Sequence, residues 1–140
     1  MKSHYFSCTI REPFETLFQV LSKTFGNIYF QRFGKIKEPH LGVILGEEYF
    51  LRVNSDVAVL ILLKELSSGE TELEVISCAG GTGLSSFSAH AHSAYIQNVK
   101  KFLKDSHFKV ESEKEITYYS SHSGKVAEYE NKEHRRERKG

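Results

Sequence analysis

Tryptophan is absent from this sequence, methionine occurs once, and proline and cysteine occur twice each. Two cysteines, Cys8 and Cys78, are too few for a disulfide framework or a cysteine metal cluster. By strand alternation Cys8 travels with Phe6 and Ile10, and Cys78 with Ile76, Glu74 and Glu72, which predicts two separate reduced thiols on opposite sides of a sheet. A dominant charge is also missing. Nineteen Lys and Arg balance 18 Asp and Glu, for a net charge of +1, so no whole-protein field draws the chain to nucleic acid or an anionic membrane. The longest apolar run, Val57 to Leu63, has seven residues, against about 20 for a membrane-spanning helix. The opening MKSHYFSCTIREP has neither the apolar core of a signal peptide nor the composition of a transit peptide. These absences predict a soluble, cytoplasmic protein with no membrane partner, no cofactor and no bound metal.

What is present suffices for one domain. The chain has 140 residues, 39% of them hydrophobic and 12% aromatic, enough for a core of its own and too few for two ordinary domains. His4 to Ile10 alternates as a strand. Pro13 then suits the first turn of a helix whose Phe14, Leu17, Phe18, Leu21 and Phe25 fall at helical spacing, with Gly26 as a left-handed stop. From Asn27 the period becomes two, through IYFQRFGKI, HLGVIL, EYFLRV, VAVLILLKEL and TELEVISC, some of which are halves of one bent strand. Turn chemistry separates them at Glu38-Pro39, Gly46-Glu47, Asn54-Ser55-Asp56 and Ser67-Ser68-Gly69-Glu70.

Spacing this close implies antiparallel hairpins. A second helix, from about Ser88 to Asp105, turns Tyr95, Ile96, Val99, Phe102 and Leu103 inward and Gln97, Asn98 and Lys101 outward. The predicted class is α+β: an antiparallel sheet of about five strands with two helices on one face, in the order βαββββα. Residues 1–110 form this domain. Residues 111–140 read as a polar tail, partly disordered or a short helix, with at most a short strand at Ile116 to Tyr119 and a basic end, HRRERKG.

The run EEYFLRVNSDVAVLILL, followed after a hairpin by ISCAGGTGLSSFSAHAHSAYIQNVKKFL, resembles a family of small uncharacterised bacterial proteins, a domain of unknown function. The matching positions are Tyr49, Phe50 and Arg52 on one strand, then Gly81, Gly83 and Leu84, then Phe87 and Ser88 opening the last helix. The resemblance spans roughly residues 4 to 110. Where the family pattern places a tryptophan and a glycine, this chain has Ala89 and His90. The resemblance implies a TATA-binding-protein-like topology, a reduced relative of the Bet v 1 helix-grip fold, and carries no known chemistry.

The glycine-rich SCAGGTGLSS stretch invites comparison with anion-binding loops, in which unpaired amides meet a helix N-terminus. Gly80, Gly81 and Gly83 supply the backbone, but there is no G-K-[ST] and no charged residue from Val75 to Asn98. The G-G-x-G order does not match a dinucleotide fingerprint. The loop therefore reads as a hinge whose glycines permit close approach of helix to sheet, with a pocket at its mouth as the alternative. His90 and His92 lie about 200° apart on a helix and cannot share a metal there. His92 falls on the inward side with Ser88 and Tyr95, so Gly81, Gly83, Phe87, Ser88, His92, Tyr95 and Arg52 are the candidate ligand contacts. No catalytic set is assigned.

The apolar run raises a separate point. Val57, Val59, Ile61 and Leu63 point one way and Ala58, Leu60 and Leu62 the other, so both faces of this strand demand burial. The second face is to be covered by the tail (through Ile116, Tyr118, Tyr119, Val126 and Tyr129), by a partner subunit or by an apolar ligand, and a homo-oligomer through the sheet is expected. The functional expectation is a non-enzymatic module that self-associates or holds a small apolar or weakly anionic ligand. Two alternatives stand beside it: nucleic-acid binding through Arg135, Arg136, Arg138 and Lys139, and a hydrolase-like enzyme using His92 with Cys78 or Ser88.

Overall fold

The computed structural model describes the backbone of residues 3–50, 55–79 and 85–119 and the side chains of residues 3–48, 56–78 and 93–116. The elements are β1 (Ser3–Ile10), α1 (Phe14–Phe25), β2 (Tyr29–Phe33), β3 (Leu41–Phe50), β4 (Ser55–Ser67), β5 (Glu70–Ala79), α2 (Ser85–Asp105) and β6 (Val110–Tyr119). The strands form one open six-stranded sheet in the order β2-β3-β4-β5-β1-β6, antiparallel throughout.

This is the expected α+β class with one strand more than expected. Val110–Tyr119, read from sequence mainly as the start of a polar tail, pairs with β1 along its length, Ile10 opposite Val110 and Tyr5 opposite Ile116. Its alternation is hidden because, as an edge strand, it carries charges where a central strand carries aliphatics. Residues 120–140 of the expected tail lie outside the described residues.

Both helices cover one face. The buried positions alternate in every central strand: Phe6, Cys8 and Ile10 in β1; Ile44 in β3; Val57, Val59, Ile61 and Leu63 in β4; Leu73 and Val75 in β5. Phe14, Leu17, Phe18 and Leu21 of α1 and Tyr95, Ile96, Val99 and Leu103 of α2 complete this core. Each fully buried aliphatic side chain contributes about 1.5–3 kcal/mol. The helices meet through Phe25, whose ring lies 6.1 Å from that of Tyr95 and 5.5 Å, edge-on, from that of Phe102.

Two glycine readings are corrected. Gly26 does follow α1, but its φ is −88°, not left-handed. Space selects it instead, since a Cβ there would lie 2.6 Å from the Ser22 carbonyl oxygen. Gly46-Glu47 is no turn: HLGVIL and EYF are continuous in β3, and Gly42 and Gly46 face the helices. A Cβ at Gly42 would come within 2.8 Å of the Phe18 ring, and one at Gly46 would overlap the Phe25 carbonyl. The two glycines thus let α1 rest directly on the strand.

Polar clasps fix the ends. Asn27 pairs through its side chain with the backbone of Glu47, donating to the carbonyl and accepting from the amide, both at 2.8 Å, which extends the β2–β3 ladder by one rung. Buried Thr71 donates to the Glu12 carbonyl at 3.0 Å and ties the β1–α1 turn to β5. His40 and Glu65 are joined by the backbone amide of Glu65 to the His40 carbonyl at 2.9 Å and by Nδ1 to Oε1 at 3.1 Å.

Candidate functional site

The structure places the candidate contacts unevenly. Gly81, Gly83 and Arg52 lie outside the described residues. Phe87, Ser88 and His92 belong to the first two turns of α2, and their side chains lie outside the described set. Tyr95 is described and is 3% exposed, at the junction of α1, α2 and β3. Its hydroxyl reaches to within 3.2 Å of where a Cβ on Gly46 would stand. Burial, and then the Glu48 carboxylate, push its ionisation up to about 12, so it is a neutral phenol at any ordinary pH.

Two other regions have the geometry of sites. The first is a cleft between the C-terminal half of α2 and β6. Helix α2 closes with the Phe108 amide donating to the Leu103 carbonyl at 3.2 Å and the His107 amide to that of Lys104 at 3.0 Å, with His107 in the left-handed region at φ 61°. This double closure turns the chain sharply into β6. It also sets Phe108 and Val110 beside Leu103 and Phe6 as an apolar floor, with a cavity of about 640 Å³ above it.

Charge lines the rim. Lys100, Lys101, Lys104 and His107 face Glu113 across the cleft. Lys100 is engaged: its ammonium lies 5.3 Å from the centre of the Phe6 ring and 3.7 Å from Glu115, whose same oxygen is 3.2 Å from Nε2 of the buried His4. Lys101 and Lys104 make no ion pair with a described residue. Sequence reasoning missed this site because lysines on the outer side of an amphipathic helix read as a solvated face. The available signal was K-K-F-L-K, which stacks Lys100 over Lys104 one turn apart.

Beneath this region Cys8 is buried. Loss of hydration and the Glu113 carboxylate raise its thiol to about 12 against some relief from Lys100, so it is neither a thiolate nor a nucleophile at neutral pH. Cys78, on the other side of the sheet, is raised by burial as well. Among the described residues no three His, Cys, Asp or Glu are grouped to hold a metal ion.

The second region is the sheet face away from the helices. The strand registers align Tyr29, Leu45, Leu60, Ile76, Tyr5 and Ile116 in a single row, one residue from each of the six strands. Val43 and Leu62 stand opposite one another in the next row, and Leu41 and Phe33 beyond them. Tyr29, Phe33 and Leu41 are 49%, 51% and 48% exposed, and the other seven are half-buried. Polar groups interrupt the patch: the Tyr5 hydroxyl donates to Glu74 at 2.8 Å, Lys64 stands opposite Glu72, Gln31 opposite Val43 and Glu47 opposite Ala58. Ile116, expected to help cover this face, is part of it.

No helix among the described residues is long and apolar enough to cross a membrane. None of the family models, curated proteins or solved structures compared with the chain matches it.

Proposed function

We propose that the protein is a non-enzymatic interaction module that forms a homodimer by packing the open faces of two sheets together. The observation that carries this reading is the apolar row across all six strands on the face the helices leave uncovered. Five spacings of about 4.8 Å between strands and about eight residues at about 3.3 Å per strand make a face on the order of 24 by 26 Å. That is about 600 Å² in plane and more in accessible surface, near the ~800 Å² per partner of a standard interface.

A second copy is the occupant favoured by chemistry. The segment 120–140 has only Val126, Ala127 and Tyr129 as apolar residues against ten charged ones at 125–139, too few to cover ten apolar positions. A small ligand gains most from concavity, and a sheet face offers little. A second sheet supplies an equally broad, equally apolar surface, with aligned packing about 10 Å apart. The helix-grip-like, TATA-binding-protein-like arrangement belongs to this proposal as fold analogy only.

Sedimentation at high micromolar concentration tests the reading, with Leu60→Glu as the variant, because Leu60 lies at the centre of the row. A dimeric parent and a monomeric, folded Leu60→Glu variant are expected. A monomeric parent, or a variant that stays dimeric, overturns the proposal.

A further inference from the structure

We propose that the cleft between α2 and β6 binds a small amphipathic anion: an apolar or aromatic body bearing a single carboxylate. This inference does not depend on the dimer, since the cleft lies on the helix side of the sheet.

Size, floor and charge together support it. The cavity of about 640 Å³ falls within the ~300–1,000 Å³ usual for small-ligand sites. Its apolar floor is Phe108 and Val110, both half-buried, backed by Phe6 and Leu103, each only 1% exposed, so an apolar body placed there covers the exposed parts of Phe108 and Val110. Three lysines stand against Glu113 and against Glu115, which meets Lys100, an excess of one positive charge.

The lysines divide by role. Lys100 is held over Phe6 and beside Glu115, which itself meets His4, and so forms part of the wall. Lys101 and Lys104 are exposed and have no anionic partner among the described residues. Two ammonium groups at the lip of an apolar slot suit a carboxylate whose tail points inward, where the pair is stronger than in open water. A neutral apolar molecule would leave both ammonium groups unanswered, and a dianionic sugar phosphate would have no use for the floor.

Calorimetric titration with sodium octanoate tests this, with 1-octanol as the neutral molecule of the same length. Octanoate is expected to bind, to bind at least about tenfold more tightly than octanol, and to weaken as salt is raised. The double variant Lys101→Glu/Lys104→Glu is expected to lose at least about tenfold in octanoate affinity while keeping its circular dichroism, because both side chains are exposed. Lys64→Glu, which places the same charge change on the opposite face of the sheet, is expected to bind as the parent does. No octanoate binding, equal binding of octanol, or an unaltered double variant overturns the proposal. A loss with Lys64→Glu equal to that of the double variant would move the site to the open face and overturn it equally.

Discussion

Gly46 of β3 lies so close to Phe25 at the end of α1 that a Cβ at position 46 would overlap the Phe25 carbonyl oxygen and meet its carbonyl carbon at 3.0 Å. Helix and strand are in backbone contact here, so no side-chain rearrangement can relieve an added methyl group. Gly46→Ala is expected to destabilise the fold by about 3 kcal/mol or more in urea denaturation. Gly69→Ala, in the β4–β5 turn where a Cβ meets nothing within 4 Å, is expected to stay within about 0.5 kcal/mol of the parent. Equal effects at the two positions would contradict the close approach.

The left-handed residue that ends α2 gives a change in the opposite direction. His107 holds φ 61° without being a glycine, a conformation that strains a side chain. His107→Gly is expected to raise stability by ~0.5–1 kcal/mol, the relief of strain exceeding the greater freedom glycine gives the unfolded chain. A lowered melting temperature would show that the imidazole contributes more to the cleft than its backbone costs.

The two thiols differ in access and so in rate. Cys8 is buried in the core and Cys78 is half-buried on the open face. In native protein a disulfide reagent is expected to modify Cys78 first, more slowly than a free thiol at the same pH, and Cys8 only on unfolding. If the sheet faces pair, the Cys78 rate falls as protein concentration rises. A rate independent of concentration over the range where sedimentation reports the dimer would place the interface elsewhere.

Alkaline pH should find the same buried groups. Folding raises Cys8 from 9.0 to about 12 and Tyr95 from 10.0 to about 12. Both groups are neutral in either state below about pH 8, so their burial costs nothing there. Above that, the unfolded chain loses protons that the folded chain keeps, and stability falls. Urea midpoints are expected to be level through neutrality, to decline from about pH 9, and to go on declining towards about 12. In Cys8→Ala the decline still begins at about pH 9, through Cys78, whose thiol burial also raises, but it is shallower than in the parent. An unchanged slope in the variant would remove Cys8 from the account.

The sequence made the centre of this fold legible and its edges obscure. Strand β4 stood out because all of VAVLILL is apolar, and its odd residues are indeed the buried ones while Ala58, Leu60 and Leu62 line the open face. The apolar positions of α1 and α2 recur at helical spacing and needed no tertiary knowledge. Strand β6 was hidden because ESEKE has the composition of a solvated segment, and only pairing with β1 makes it a strand. Gly46 looked like turn chemistry because sequence alone cannot separate a glycine chosen for its φ from one chosen for its lack of a side chain. The α2–β6 cleft depends on where the chain goes after Phe108, and local periodicity does not encode that.

The position of β1 has a consequence for how the chain assembles. It is the first strand in sequence, yet its partners are β5 and β6, so Ser3 pairs with Tyr119 and Ile10 with Val110 across most of the chain's length. The hairpins from β2 to β5 can zip locally, whereas the first strand must wait for the last, which raises the contact order and slows folding. The same adjacency makes the protein a good subject for circular permutation. A short linker from the end of β6 to the start of β1, with new ends opened in the β1–α1 turn at Glu12-Pro13, would turn β1-β6 from a remote pairing into a hairpin, keep the β4–β5 hairpin intact, and should speed folding while leaving the sheet order unchanged.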